Sequence, residues 1–137
     1  MIKPAKIVLI EDSGADVFLI EMALTENGID HQLTRFKNGE EAIAGLCGPG
    51  SPANAGWKPD AILLDLNTPK SDGFEVLGKL QRDPHLAGVP MAIITSSQAV
   101  SDKTRASTAG VRYIEKPSPL DEFLSTVGRA VKEMLET

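Results

Sequence analysis

The chain alternates short apolar runs with longer amphipathic segments. Four of the runs have the length of a β-strand, and in three of them apolar residues occupy consecutive positions. Such runs are typical of parallel strands that are buried between two layers of helices. A weaker run, Gln32–Phe36, alternates imperfectly and is predicted to lie at an edge of the sheet. The four stronger runs are residues 6–10, 60–64, 90–94 and 111–115.

Helical segments separate these runs. The first helical segment is expected to begin after Ser13, and Gly28 suits its C-terminal end. The last segment is the most regular, with Ser118 expected as N-cap, Pro119 as first helical residue and an apolar stripe over Leu120–Leu135. The resulting order is βαβαβαβαβα, which right-handed crossovers wind into one sheet. We therefore predict an α/β fold: a single doubly wound, five-stranded parallel sheet with five helices.

Composition and charge restrict the classes of function. The chain has 137 residues, which suits one domain over residues 1–137 without a separate output domain. Its net charge of −5 argues against nucleic acids and anionic membrane surfaces as partners. The apolar runs are too short for a membrane span or a secretory signal. The single cysteine, Cys47, excludes an internal disulfide, and we expect a cytoplasmic protein.

Chemically useful residues follow four of the predicted strands. Glu11-Asp12 follows the first strong run, Asp65 the second, Thr95 the third and Lys116 the fourth. The carboxyl ends of parallel strands share one edge of a sheet, where open α/β folds bind ligands. Carboxylates about 5 Å apart repel by roughly 3 kcal/mol at an effective dielectric of about 20, so the cluster suits a cation such as Mg²⁺. A metal, an ammonium and a hydroxyl around an aspartate are typical of a site that places a phosphoryl group on a carboxylate.

Together these residues resemble the receiver domain of two-component response regulators, over essentially the whole chain. The resemblance implies a flavodoxin-like fold with strand order 2-1-3-4-5. A narrower resemblance, to stand-alone regulators associated with bacterial phytochromes, is carried by residues 11–16, by Asp65-Leu66-Asn67 and by the long Cys47–Lys58 segment. The matching segments of the family are Glu11-Asp12-Ser13, Asp65–Pro69 with Asp72-Gly73, Thr95-Ser96 and Tyr113–Pro117.

The resemblance assigns a role to each residue of the cluster. Asp65 is the expected phosphoacceptor, and the bond between Lys116 and Pro117 is expected to be cis. The phosphoryl donor is expected to be a sensor histidine kinase, of the phytochrome type on the narrower resemblance, or a phosphotransfer protein. Expected Mg²⁺ ligands are Glu11, Asp12, Asp65 and Asn67; expected phosphate-binding residues are Thr95 and Lys116; and the expected switch residues are Thr95 and Tyr113.

Other functions fit parts of the pattern. An aspartyl-phosphate phosphohydrolase of the haloacid dehalogenase type would use the same nucleophile, but it needs an acid where Asn67 stands. A flavodoxin-like cofactor carrier conflicts with Glu11-Asp12, which would repel a flavin phosphate. A receiver that no longer accepts phosphate would be expected to lack an essential residue. The best-supported prediction is a signalling protein rather than an enzyme, with self-phosphorylation and self-dephosphorylation as its only chemistry, and with the stripe through Met134 and Leu135 available for a homodimer contact.

Overall fold

The sheet has the predicted architecture. The computed structural model describes residues 3–47, 50, 56–68 and 72–136. All strand pairs are parallel, and the strand order is β2-β1-β3-β4-β5. The imperfectly alternating run forms an edge strand, as expected. The strands are β1 (Ala5–Ile10), β2 (His31–Phe36), β3 (Ala61–Leu64), β4 (Met91–Thr95) and β5 (Arg112–Glu115).

Five helices connect the strands. The first begins at the predicted cap, because the Ser13 Oγ accepts the backbone N–H of Asp16 at 3.3 Å. It ends before Gly28, which has a φ of 72° that favours glycine. The helices are α1 (Gly14–Glu26), α2 (Gly39–Cys47), α3 (Gly73–Arg82), α4 (Val100–Ala109) and α5 (Leu120–Leu135), with a 3-10 turn at Pro84–Leu86.

The strands place alternate side chains on opposite faces of the sheet, which creates two apolar clusters. In β1, Ile7 and Leu9 face α1 and α5, whereas Val8 and Ile10 face α2, α3 and α4. All four side chains are fully buried. Burial of both faces explains the consecutive apolar positions in the sequence.

Two local predictions near the last helix were wrong. The N-cap of α5 is Pro119 rather than Ser118, and none of the described residues caps the helix with a side-chain hydrogen bond. The Pro119 backbone is extended (ψ 135°) and its carbonyl accepts the Phe123 N–H, so the helix begins one residue later than expected. The bond between Lys116 and Pro117 is trans, since no described peptide bond is cis. Trans is the more stable form of an X–Pro bond in the absence of opposing contacts.

Part of the predicted long loop after α2 lies outside the described residues. Of the loop, Trp57 is half-buried and packs with Cys47 against the cluster on the α2–α4 face. Across the described part of the chain, no helix combines the length and the apolar character that a membrane span requires.

Candidate functional site

The centre of the site is the ammonium group of Lys116. It follows β5, and its Nζ donates to Glu11 Oε1 at 2.8 Å, to Asp16 Oδ2 at 2.7 Å and to Asp65 Oδ2 at 2.7 Å. The side chain of Lys116 is only 9% exposed. An ammonium has three N–H donors, so the three carboxylates use all of them. The predicted convergence of strand ends on one edge of the sheet is therefore present.

The backbone of the acidic pair Glu11-Asp12 is fixed by strand β2. The Glu11 N–H donates to the Phe36 carbonyl at 2.9 Å, which extends the pairing of β1 with β2 by one residue. The guanidinium of Arg35 then donates to the carbonyl oxygens of Glu11 (3.0 Å) and Asp12 (2.9 Å). The side chain of Glu11 is buried, whereas Asp12 is exposed.

Asp65 is held at both carboxylate oxygens. It is buried directly after β3, and its N–H donates to the Ile10 carbonyl at 3.0 Å. Its Oδ1 accepts the backbone N–H of Asn67 at 2.8 Å, and its Oδ2 accepts from Lys116. The two hydrogen bonds fix the orientation of the Asp65 carboxylate.

Thr95 and Tyr113 are joined through one loop. The fully buried Oγ1 of Thr95 accepts from the Asn67 side-chain amide and from the Ser97 N–H, both at 3.2 Å. Its own hydroxyl proton has no acceptor among the described residues. The Tyr113 hydroxyl donates to the Ser97 carbonyl at 2.7 Å, so both side chains contact the segment that leads from β4 to α4.

The carboxylates and the ammonium shift each other's pKa. Burial raises the pKa of Glu11 to about 7; a hydrogen bond to Asp65 also raises it, and Lys116 opposes the change. Burial alone would lower the pKa of Lys116, but the hydrogen bonds that its ammonium donates to Asp16, Asp65 and Glu11 outweigh burial and raise the pKa. Lys116 thus remains cationic at neutral pH, while Glu11 is close to its midpoint.

The donor set suits a hard divalent cation. Carboxylate oxygens of Glu11, Asp16 and Asp65 lie within 4.8 Å of one another. Oxygen ligands from a few carboxylates are the ligands that Mg²⁺ and Mn²⁺ accept. Asp12 is not part of this group, and its predicted role as a ligand stays a prediction.

Residues 7–128 match the family described as "Response regulator receiver domain". This chain belongs to that family. Response regulator Rcp1 of Synechocystis sp. is 36% identical over 98% of this chain and 91% of its own length. The predicted function, a response regulator that accepts a phosphoryl group from a histidine kinase or phosphotransfer protein, is confirmed at the level of the family. The comparisons do not support the phosphohydrolase alternative.

Solved structures support the narrower resemblance to phytochrome-associated regulators. The crystal structure of the phosphorylated cyanobacterial phytochrome response regulator RcpA has a TM-score of 0.84 and 36% identity, and covers 98% of this chain and 96% of that one. The Mn²⁺-bound form of response regulator Rcp1 has a TM-score of 0.83 and 34% identity, with the same coverage. That relative binds a divalent metal, which agrees with the oxygen-rich donor set of this receiver domain.

Two residues of this receiver domain contribute to the site although the sequence did not predict it. Asp16 was expected only as one of residues 11–16, which carry the narrower resemblance, yet its Oδ2 accepts a hydrogen bond from Lys116. Its position one helical turn after Asp12 was the available signal, because the first turn of α1 begins at the same edge of the sheet. Arg35 lies on an edge strand, and no pattern in the sequence indicated that it would reach the acidic pair.

Proposed function

We propose that Asp65 is the phosphoacceptor of this receiver domain. The observation that supports the proposal best is the meeting of Lys116 with Asp65 and Glu11, residues 51 and 105 positions away in the sequence. An oxygen of the Asp65 carboxylate forms the new bond to phosphorus, and the bond from phosphorus to the donor nitrogen breaks. Lys116 is placed to neutralise charge on the phosphoryl oxygens.

In this proposal Glu11, Asp12, Asp65 and the Asn67 backbone carbonyl hold Mg²⁺. The cation, when bound, neutralises negative charge on the carboxylates and on the incoming phosphoryl group. Glu11 must lose its proton to bind Mg²⁺, since a protonated carboxyl is a poor metal ligand. The fold supports these assignments by bringing Glu11 and Asp65 to one place.

Thr95 and Tyr113 are proposed as the switch. The hydroxyl proton of Thr95, which has no acceptor in the described part of the chain, can be donated to a phosphoryl oxygen. A shift of Thr95 would disturb its bond to Ser97, which is also the residue that Tyr113 binds. The two states then differ in the position of the loop before α4, and a gap of a few kcal/mol between them suffices for signalling.

The proposed donor is a phytochrome-type sensor histidine kinase in the cytoplasm. Support comes from the similarity to RcpA and Rcp1, whose names associate them with phytochrome signalling or response regulation. We propose that output is by contact with a protein, without nucleic-acid binding or an enzymatic activity on other substrates, and that a homodimer uses the α5 region. The net charge of −5 supports the exclusion of nucleic acid.

The proposal is tested by phosphorylation with acetyl phosphate and Mg²⁺, followed by intact-protein mass spectrometry. We expect the wild type to gain one phosphoryl group and Asp65→Asn to gain none. Asp121→Asn makes the same chemical change at an exposed position and should be modified like the wild type. Modification of Asp65→Asn at the wild-type rate would place the phosphoacceptor elsewhere.

A further inference from the structure

Asp16 is the partner of Lys116 that stands outside the proposed metal set. Its Oδ2 lies 2.7 Å from the Lys116 Nζ, and its side chain is 32% exposed. Its backbone is fixed, because its N–H donates to Ser13 Oγ in the first turn of α1. Asp16 therefore presents a negative charge to the ammonium from the helix rather than from the ends of the strands.

Metal binding changes what Lys116 can contact. The other two partners of the ammonium, Glu11 and Asp65, are both proposed ligands of Mg²⁺. A divalent cation close to an ammonium repels it, and the carboxylate oxygens that bind the metal are weaker acceptors for the lysine. Because the Lys116 side chain is only 9% exposed, water offers it little replacement. A buried cation without a partner is costly, so one remaining carboxylate has a large effect.

We propose that Asp16 is a positioning residue that keeps Lys116 paired while Glu11 and Asp65 bind Mg²⁺. The inference rests on the proposed function. Asp16 draws the ammonium towards α1 and thereby reduces its competition with the metal for the other two carboxylates. It also leaves Lys116 next to Asp65, where the phosphoryl group is received.

Two other roles for Asp16 are compatible with its position. It could bind the metal itself, since its carboxylate is in the group that lies within 4.8 Å. It could also serve only to brace α1 against the segment after β5. The first role acts on Mg²⁺ without Lys116, and the second does not involve the metal at all. An experiment that varies Asp16 and Lys116 together separates them.

The first measurement is the Kd of Mg²⁺ for the full chain by isothermal titration calorimetry. Charge-assisted hydrogen bonds contribute enough for Asp16→Asn to weaken Mg²⁺ binding about tenfold or more. The matched control is Glu26→Gln, an exposed acid at the other end of α1, which removes the same charge and should change the Kd by less than about twofold. An unchanged Kd in Asp16→Asn would overturn the inference.

A double-mutant cycle then tests whether the effect passes through Lys116. In a Lys116→Met background, Asp16→Asn should change the Mg²⁺ Kd by less than about twofold, because no ammonium remains to be held. An equal loss of affinity in both backgrounds would show that Asp16 acts directly on the metal, and would overturn the positioning role.

A second readout needs no substitution of Lys116. With Mg²⁺ at saturation, labelling by an amine-reactive reagent is followed for Lys116 by peptide mass spectrometry. We expect Lys116 to be labelled several-fold faster in Asp16→Asn than in the wild type or in Glu26→Gln, and Asp16→Glu to restore slow labelling. Equal labelling in all four proteins would contradict the inference. A wild type that neither binds Mg²⁺ nor takes phosphate would overturn the proposed function and this inference with it.

Discussion

The helices α5 and α4 lie on opposite faces of the sheet and are attached to it by different means. Helix α5 buries Phe123, Val127, Gly128, Ala130, Val131 and Met134 along its 16 residues. Helix α4 has 10 residues and buries Ala106 alone, while Val100 in its first turn is 76% exposed. Apolar burial thus fixes α5 but contributes little to the position of α4.

Polar contacts hold α4 instead. Arg105 lies 4.2 Å above the Phe74 ring and 3.7 Å from the Asp72 carboxylate, both at the start of α3. Lys103 pairs with Glu115 on β5 at 3.3 Å. Exposed contacts of these kinds contribute about 0–1 kcal/mol each. The segment that carries the proposed switch therefore borders a helix that can shift at a lower cost than α5 on the opposite face.

The largest expected effect contrasts one apolar residue from each helix. Phe123→Ala should lower the free energy of unfolding by about 3–5 kcal/mol, because it empties part of the cluster on the α1/α5 face. Val100→Ala should change it by less than about 0.5 kcal/mol, because that side chain is exposed. Urea denaturation measures both. Similar losses in the two variants would show that the faces do not differ as described.

The next effect concerns the close approach of α1 and α5. A Cβ at Gly128 would lie 1.8 Å from Asn27 Nδ2 and 2.9 Å from the Ala23 carbonyl oxygen. The Asn27 amide donates to the carbonyls of Ala23 (2.8 Å) and Leu124 (3.0 Å), so it cannot move away without losing both bonds.

We expect Gly128→Ala to lower the free energy of unfolding by about 2–3 kcal/mol, although alanine favours helix by about 1 kcal/mol. Gly14→Ala, whose Cβ would have no described atom within 4 Å, is the control and should be neutral within about 0.5 kcal/mol. Thermal and urea unfolding should give the same change in the free energy of unfolding. A neutral Gly128→Ala would show that the helix contact adapts more easily than the geometry implies.

The third expected effect concerns Glu11, in the acidic site at the carboxyl edge of the sheet. Burial raises the pKa of Glu11 from 4.5 to about 7, so the folded protein keeps a proton that the unfolded chain releases between these values. The stabilisation of the folded state by this bound proton is complete below pH 4.5 and is lost as the pH rises through about 7. Without divalent metal, the wild type should lose more stability between pH 5 and pH 8 than Glu11→Gln, by about 1–3 kcal/mol. If the free energy of unfolding had the same pH dependence in the two proteins, this prediction would be wrong.

The smallest expected effect on stability is that of Arg105→Ala. It should lower the free energy of unfolding by about 1 kcal/mol or less, yet it should speed amide hydrogen exchange throughout α4. Arg129→Ala removes an exposed arginine of α5 and should leave exchange in α4 unchanged. Equal exchange in both variants would mean that α4 does not depend on the contacts of Arg105.

The sequence predicted the sheet and the meeting of Glu11, Asp65 and Lys116 because three of the strands are followed directly by a carboxylate or an ammonium. An apolar run that is followed by a carboxylate or an ammonium marks the carboxyl end of a strand. Because the strands are parallel, these ends share one edge of the sheet, and Glu11, Asp65 and Lys116 could therefore be placed together. Asp16 could not be distinguished in this way, because an acid in the first turn of a helix is favoured by the helix dipole in any protein.

Other features depended on details that no pattern carries. Ser118 and Pro119 are both suitable at a helix start, and only the extended backbone of Pro119 decides between them. The reach of Arg35 from β2 to two carbonyls depends on the pairing register of an edge strand.

The order of residues along the chain has a consequence for biosynthesis. Lys116 leaves the ribosome after Glu11, Asp16 and Asp65, at a separation of 105, 100 and 51 positions. A nascent chain that ends before β5 holds these acids without their counter-ion, and each close pair repels by roughly 3 kcal/mol at about 5 Å. The strand β5 is the last strand of the sheet to be made, and it both completes the sheet and neutralises the pocket, so stable closure of the acidic edge must wait until β5 has been synthesised.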